Sequence, residues 1–298
     1  MFRNVIVGVD GEEGGRDAIA LAKMLSEKRG TLSLAYIYHG DPHVWRGTSP
    51  PYEATEMERT RHLLRRERER AEVDAHLHCR GSASIGRGLH ELAEKLGADL
   101  IVIGSCRRGL IGRVLVGDDT HSALNGAPCA VAIAPAGFAH QPAIVREIGV
   151  GYDGSPESEQ ALMAARELAR SHGARIRALS VVSLKNVRDE KPIPADWPEA
   201  AERLVDERLN RLSELPGIEG DAVYGGPREE LSRFSGEVDL LIVGSRGYGP
   251  LGRLLHGSIS RYLVRHAACP LLVLARGPVL AAAADTADRP RTSTALPV

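Results

Sequence analysis

The segment GSRGYGPLGRLLHGS, Gly244 to Ser258, follows directly on the aliphatic stretch Leu240 to Val243. Its glycines Gly244, Gly247 and Gly257 give an anion unobstructed access to backbone N–H groups, and they permit the positive φ angles that turn successive N–H groups inward. Ser258 adds a hydroxyl where the pattern opens a helix, and the helix dipole there favours negative charge. Upstream, Asp153 closes a second aliphatic stretch and offers only acceptor oxygens, which suit a pair of ribose hydroxyls. A hydroxyl acceptor at one end and an anion cradle at the other describe a nucleotide. Two common phosphate motifs do not account for the glycines. Gly104 to Gly109 has G-x4-G spacing, but Leu110 and Ile111 follow it instead of Lys and Ser/Thr, and no G-x-G-x-x-G follows the first strand.

These residues need a scaffold, and the chain supplies it twice. VIVGVDGEEGGRDAIALAKML from Val5 matches IGVGYDGSPESEQALMAAREL from Ile148, so that Asp10 and Asp153 lie 143 residues apart. Gly104 and Gly244, Gly117 and Gly257, and Cys129 and Cys269 each lie 140 apart. Each copy starts with a strand (Val5 to Val9; Ile148 to Tyr152) and continues into a helix with apolar residues at helical spacing. Ser155-Pro156 predicts an N-cap and first helical turn, and Gly30 and Gly173 are expected to end these first helices. Strands are predicted at Leu32 to Tyr38 and Ile176 to Val182, Asp74 to Cys79 and Asp221 to Tyr224, Leu100 to Ile103 and Leu240 to Val243, and Ala130 to Ala134 and Leu271 to Ala275. The charged run RHLLRRERER, within a helix from about Glu53 to Ala71, reads as a solvated face with mixed ion pairs. Strands alternating with helices imply parallel sheets with right-handed crossovers. The expected fold is therefore α/β: two tandem doubly wound, Rossmann-like domains of five parallel strands. Residues 1–136 and 145–276 would be the domains, 137–144 the linker, and 277–298 a disordered tail.

Composition agrees. A chain of 298 residues makes about two domains of ~150 residues each. Aromatic residues are only 4%, so the core must be aliphatic, as buried parallel strands require. A net charge of -1 argues against general nucleic-acid binding. No apolar run reaches membrane-spanning length, and the opening MFRNVIVGVDG is too short for a secretory signal. The four cysteines form no CxxC pair, and a reduced, cytoplasmic protein is expected.

The second copy resembles the ATP-binding members of the universal stress protein family, whose fold is adenine nucleotide alpha hydrolase-like. The family pattern G-x2-G-x9-G-[S/T] is met by Gly244, Gly247, Gly257 and Ser258, the strand-one aspartate by Asp153, and the last strand by HAACPLLVLA from His266. The resemblance implies that Asp153 holds the ribose, that Val181 touches the adenine, and that Gly247, Gly257 and Ser258 hold the phosphates with Mg2+ or Mn2+ on them. It also implies that the two halves pair through their last strands within one chain, with further self-association as a homo-oligomer. The implied role is regulatory, in a stress response. No base or His–carboxylate pair stands near Ser258 in the sequence, so ATP hydrolysis should be slow. A nucleotide hydrolase or adenylate-forming enzyme, and a scaffold with structural ATP, are the alternatives.

The first copy departs from the pattern. Arg107 replaces the second glycine, and Asp118 replaces the Ser/Thr. A carboxylate ~4 Å from a phosphate charge repels it by about 1 kcal/mol in water and about 4 at an effective dielectric of 20. Asp118 would also cap its own helix. One ATP per chain is expected. His76, His78 and Cys79 could suggest a metal site, but no third ligand is visible and an exposed strand face is the expected reading. Cys106, beside Arg107 and Arg108, reads as a loop cysteine, and Cys129 and Cys269 as small core hydrophobes. Tyr36, Tyr38 and Trp45 are expected to pack at the core or rim of the first cleft, and His256 has no evident acid–base partner.

Overall fold

A computed structural model describes residues 1–39, 50–105, 122–141, 144–183, 197–245 and 257–275. The first half contains β1 (Phe2–Gly8), α1 (Glu13–Leu25), β2 (Ser26–His39), α2 (Pro50–Ala71), β3 (His76–Ser82), α3 (Ile85–Leu96), β4 (Leu100–Gly104) and β5 (Ala130–Ala134). The second contains β6 (Glu147–Gly151), α4 (Pro156–His172), β7 (Arg175–Val182), α5 (Trp197–Ser213), β8 (Glu219–Tyr224), α6 (Pro227–Phe234), β9 (Leu240–Gly244), α7 (Ser258–His266) and β10 (Leu271–Leu274).

All ten strands join one sheet in the order β3-β2-β1-β4-β5-β10-β9-β6-β7-β8. Every neighbouring pair is parallel except β5 with β10, where Val131 opposes Val273 and Ile133 opposes Leu271 in an antiparallel ladder. Each half is thus the expected doubly wound parallel sheet. Pairing of the last strands fuses the two halves across a pseudo-twofold axis. The central strands are buried throughout (AVAIA, LLVL), which explains why they read as continuous apolar runs without alternation. One apolar layer, under α1 and α4, and a second, under α3, α6 and α7, each draw residues from both halves. Further contacts cross between the halves: the Met1 ammonium pairs with Glu167, and the His172 ring lies 3.1 Å from the Met24 carbonyl oxygen.

Local signals were met where local chemistry decides. Ser155 Oγ accepts the Ser158 N–H at 3.3 Å, Pro156 opens α4, and Gly173 closes it in the left-handed conformation. Gly30 does not end α1. The helix stops at Leu25, and Gly30 lies inside β2, where the register slips from Phe2↔Ser26 to Asn4↔Thr31. A Cβ at Gly30 would sit 2.9 Å from the Arg3 carbonyl oxygen, so the glycine serves strand–strand approach at an irregular pairing. β3 starts at His76, later than predicted, because its pairing with β2 begins at Ser33↔His76. The charged face of α2 is exposed, as expected. Among the described residues, however, its only ion pair is Glu67 with Arg16 of α1. The linker stretch is docked: Asp17, 2% exposed, accepts the Gly137 and Ala139 N–H groups at 2.8 and 2.7 Å, and buries Phe138 beside α1.

Candidate functional site

In a sheet wound in this order, the chain reverses direction between β1 and β4, and between β6 and β9. The carboxyl ends of those strands open a crevice where ligands bind. In the second half Asp153 stands there, half-buried, in the turn from β6 to α4. Its Oδ1 accepts the Ser155 N–H at 3.0 Å, Gly154 takes φ +79°, and Arg208 of α5 donates to the Asp153 carbonyl at 3.0 Å. The turn is therefore fixed from both sides, and the carboxylate is oriented by its own backbone. Asp10 repeats the geometry in the first half, accepting the Glu12 N–H at 2.9 Å beside Gly11 at φ +84°. Next to Asp153, the Tyr152 hydroxyl donates to Glu159, and burial together with that bond pushes the phenol up to about 12.

Gly244 ends β9 at the same edge. A Cβ there would lie 2.5 Å from the Glu157 carbonyl oxygen, in the first turn of α4. Gly104 lies equally close against the backbone of Gly14 in the first half. Close approach of helix to strand thus demands this glycine in both copies, with or without a ligand. Gly257 is different. It is the N-cap of α7 with φ -68° and ψ 147°, a conformation open to any residue, and among the described residues a Cβ would meet only Ser260 Oγ, at an ordinary 3.5 Å. Among the described residues no side chain caps α7, and its first turn has no acidic residue. By contrast, α4 is capped by Ser155 and has Glu157 and Glu159 in its first turn. Among the described residues the opening N–H groups of α7 therefore lack the side-chain acceptor that α4 possesses. Ser258, the first residue of α7, is exposed.

Val181 is half-buried near the end of β7, opposite Val223, and packs against the second apolar layer. Two residues on, the Ser183 hydroxyl is buried and has no hydrogen-bond partner among the described residues. Ser105, which follows Gly104 in the first half, is in the same condition. A buried hydroxyl without a partner is unusual in folded proteins, so each marks a place to examine for a ligand or water. Nothing in the local pattern marks Ser183, because burial of a polar residue at a strand end is a tertiary property.

The structure thus brings Asp153, Val181, Gly244, Gly257 and Ser258 to the carboxyl side of one parallel half-sheet. Gly247, and in the first half Arg107, Gly117, Asp118 and Asp119, lie outside the described residues, as do Trp45, Cys106, His256 and the tail 277–298. The first half has a cavity of about 150 Å3 at its own crevice, between Asp10, Tyr36, Ile37, Leu89 and Gly104. His76 is exposed and His78 half-buried on the edge strand β3, where burial and then the neighbouring His76 hold His78 below its usual range. Among the described residues no three His, Cys, Asp or Glu side chains gather as a metal site. Burial pushes the thiols of Cys129 and Cys269 up to about 12, in keeping with small core hydrophobes. No described helix is long and apolar enough to cross a membrane.

A family model described as the universal stress protein family matches residues 1–135 and again 145–275. The chain belongs to the universal stress protein family. A universal stress protein of Mycobacterium tuberculosis is 30% identical over 187 residues, 59% of this chain and 61% of the relative. A second from the same organism is 24% identical over 216 residues, 68% of this chain and 73% of the relative. The aligned region thus spans about three fifths of the length of the first of these relatives. A crystal structure of a universal stress protein from Archaeoglobus fulgidus superposes with a TM-score of 0.63 at 17% identity, covering 92% of this chain and 98% of that one. That superposition covers both universal stress protein copies together and supports the fused tandem α/β fold.

Proposed function

We propose that the second universal stress protein copy binds ATP, and that nucleotide occupancy acts as a regulatory signal in a stress response. The observation that carries this reading is Gly257. Among the described residues nothing packs closely enough to require a glycine there, yet one stands at a helix N-terminus with no side-chain cap and no acidic residue in its first turn, on the carboxyl side of the half-sheet. An anion satisfies such a terminus directly. In this reading Asp153 takes the ribose hydroxyls, Val181 lies against the adenine with the Ser183 hydroxyl at its rim, and Gly244, Gly247, Gly257 and Ser258 surround the phosphates. Mg2+ or Mn2+ would sit on the phosphate oxygens. The first copy, with Asp118 at the equivalent of Ser258, binds nucleotide weakly or not at all. Self-association of chains and a cytoplasmic location belong to the same proposal.

Regulation requires that ATP bind two states of the protein, or of its assembly, with different affinity. Calorimetric titration should give one ATP per chain, lost in Gly247→Arg and rising toward two in Arg107→Gly with Asp118→Ser. A native stoichiometry near two, or undiminished binding in Gly247→Arg, refutes the assignment. Turnover faster than ~1 per second would move the reading to an enzyme.

A further inference from the structure

A second cavity of about 530 Å3 flanks the Asp10–Gly11 turn, between it and α2. Leu63 presses onto Gly11, where a Cβ would lie 2.7 Å from Leu63 Cδ1. Arg16 reaches across from α1, donating to the Gly11 carbonyl at 3.0 Å and to both oxygens of Glu67 at 3.1 and 3.2 Å. Glu67 is 3% exposed, so this pair makes a neutral, rigid wall. Arg59, His62 and Arg66 complete the lining from one side of α2, with Glu58 the only other carboxylate. Arg59 and Arg66 make no ion pair or hydrogen bond among the described residues, although Glu69 shares their helix. The wider stretch Glu58 to Arg70 holds six arginines against three glutamates.

We propose that this cavity binds an oligophosphate. Positions 59 and 66 are seven residues apart, which places them about 10 Å apart along the helix axis. An anion whose charge is spread along its length meets both guanidiniums, whereas a single phosphate meets one. Arginine binds phosphate oxygens in bidentate fashion and remains charged at any physiological pH. His62 lies between the two arginines in sequence and adds a ring N–H donor. The second copy does not repeat the arrangement. There Arg208 of α5 is engaged by the Asp153 carbonyl, and its chain neighbours are Asp206 and Glu207. The site is also separate from the glycine segment of the second copy, so each can be tested without the other.

An inorganic oligophosphate and the phosphate tail of a nucleotide share this chemistry. The experiment uses the full chain carrying Gly247→Arg, titrated calorimetrically at low salt with inorganic tripolyphosphate and, separately, with ATP. Saturable tripolyphosphate binding is expected, weakening with added salt and at least tenfold weaker when Arg59→Ala and Arg66→Ala are added. ATP binding is expected to be lost with Gly247→Arg, which leaves the inorganic chain as the ligand; ATP binding that persists in this variant and disappears with the two arginines assigns the nucleotide tail to this cavity and overturns the count of one ATP per chain, not the oligophosphate site. Both side chains are exposed, so circular dichroism and melting of the double variant should match the parent. Absence of tripolyphosphate binding, affinity within twofold in the double variant, or binding of a short DNA duplex in place of tripolyphosphate overturns the proposal.

Discussion

Gly244 lies against Glu157 so closely that a methyl group at position 244 would start 2.5 Å from the Glu157 carbonyl oxygen. Gly257, at the far end of the same sequence segment, has room for one among the described residues. Two glycines of one motif therefore answer to different constraints. Gly244→Ala should destabilise the fold by about 1–3 kcal/mol, through forced backbone shifts. Gly257→Ala should leave stability within about 0.5 kcal/mol and lower ATP affinity tenfold or more. Urea unfolding midpoints and nucleotide titration on both variants check this. Equal loss of stability in the two would remove the distinction.

Arg16 and Glu67 form the partly buried pair that ties α1 to α2, and the Glu67 hydrogen bond raises the Arg16 pKa further. Arg16→Ala strands a carboxylate that is 3% exposed. The expected cost is about 3 kcal/mol, near the low end for breaking a buried pair because Arg16 itself is partly exposed. Arg16→Leu with Glu67→Leu should recover most of that loss. Chemical denaturation of the single and double variants measures the difference. A single variant as stable as wild type would show that water reaches Glu67.

Glu91 sits between Arg87 at 2.8 Å and Arg80 at 2.5 Å, and these guanidiniums, Arg87 foremost, hold its carboxyl below the usual 4.5. A depressed folded-state pKa gives stability that is fully present above the unfolded value and is lost as the pH falls through the folded one. Glu91 is about one-third exposed, so the contribution is about 1 kcal/mol or less. Wild type should exceed Glu91→Gln in melting temperature at pH 7, and the gap should close as the pH drops below about 4. A gap independent of pH contradicts the linkage.

Burial pushes the thiols of Cys129 and Cys269 up to about 12, so both stay protonated at pH 8 and are poor nucleophiles. Both are buried, in the bends that lead into β5 and β10. A thiol-specific disulfide reagent should leave them unmodified in the native protein and should label all four cysteines in guanidinium. Peptide mapping that found Cys269 modified under native conditions would mean that β10 opens readily from its neighbours.

The end signals of α4 were legible because each acts within a few residues. Ser155 needs only the N–H three positions on, and Gly173 only its own backbone freedom. Gly30 looked the same and was not, since its role is set by the backbone of Arg3 on a neighbouring strand. The charge run in α2 suggested pairs within the helix, but its one observed pair is with α1. The start of β3 moved because register with β2, rather than β propensity, decides where an edge strand begins. Asp17 gave no signal at all, because its partners are backbone N–H groups more than a hundred residues downstream.

From the sequence alone came the duplication, the alternation of strand and helix, the order of elements and the residues proposed to hold a nucleotide. All of these are written in periodicity and in residue types that act over short chain distances. Folding in three dimensions decided which glycine is a packing requirement and which is not, where the linker docks, and which charges are matched. It also left two buried hydroxyls without partners among the described residues, those of Ser105 and Ser183. Each of these depends on contacts between segments far apart in the chain, which no local pattern encodes.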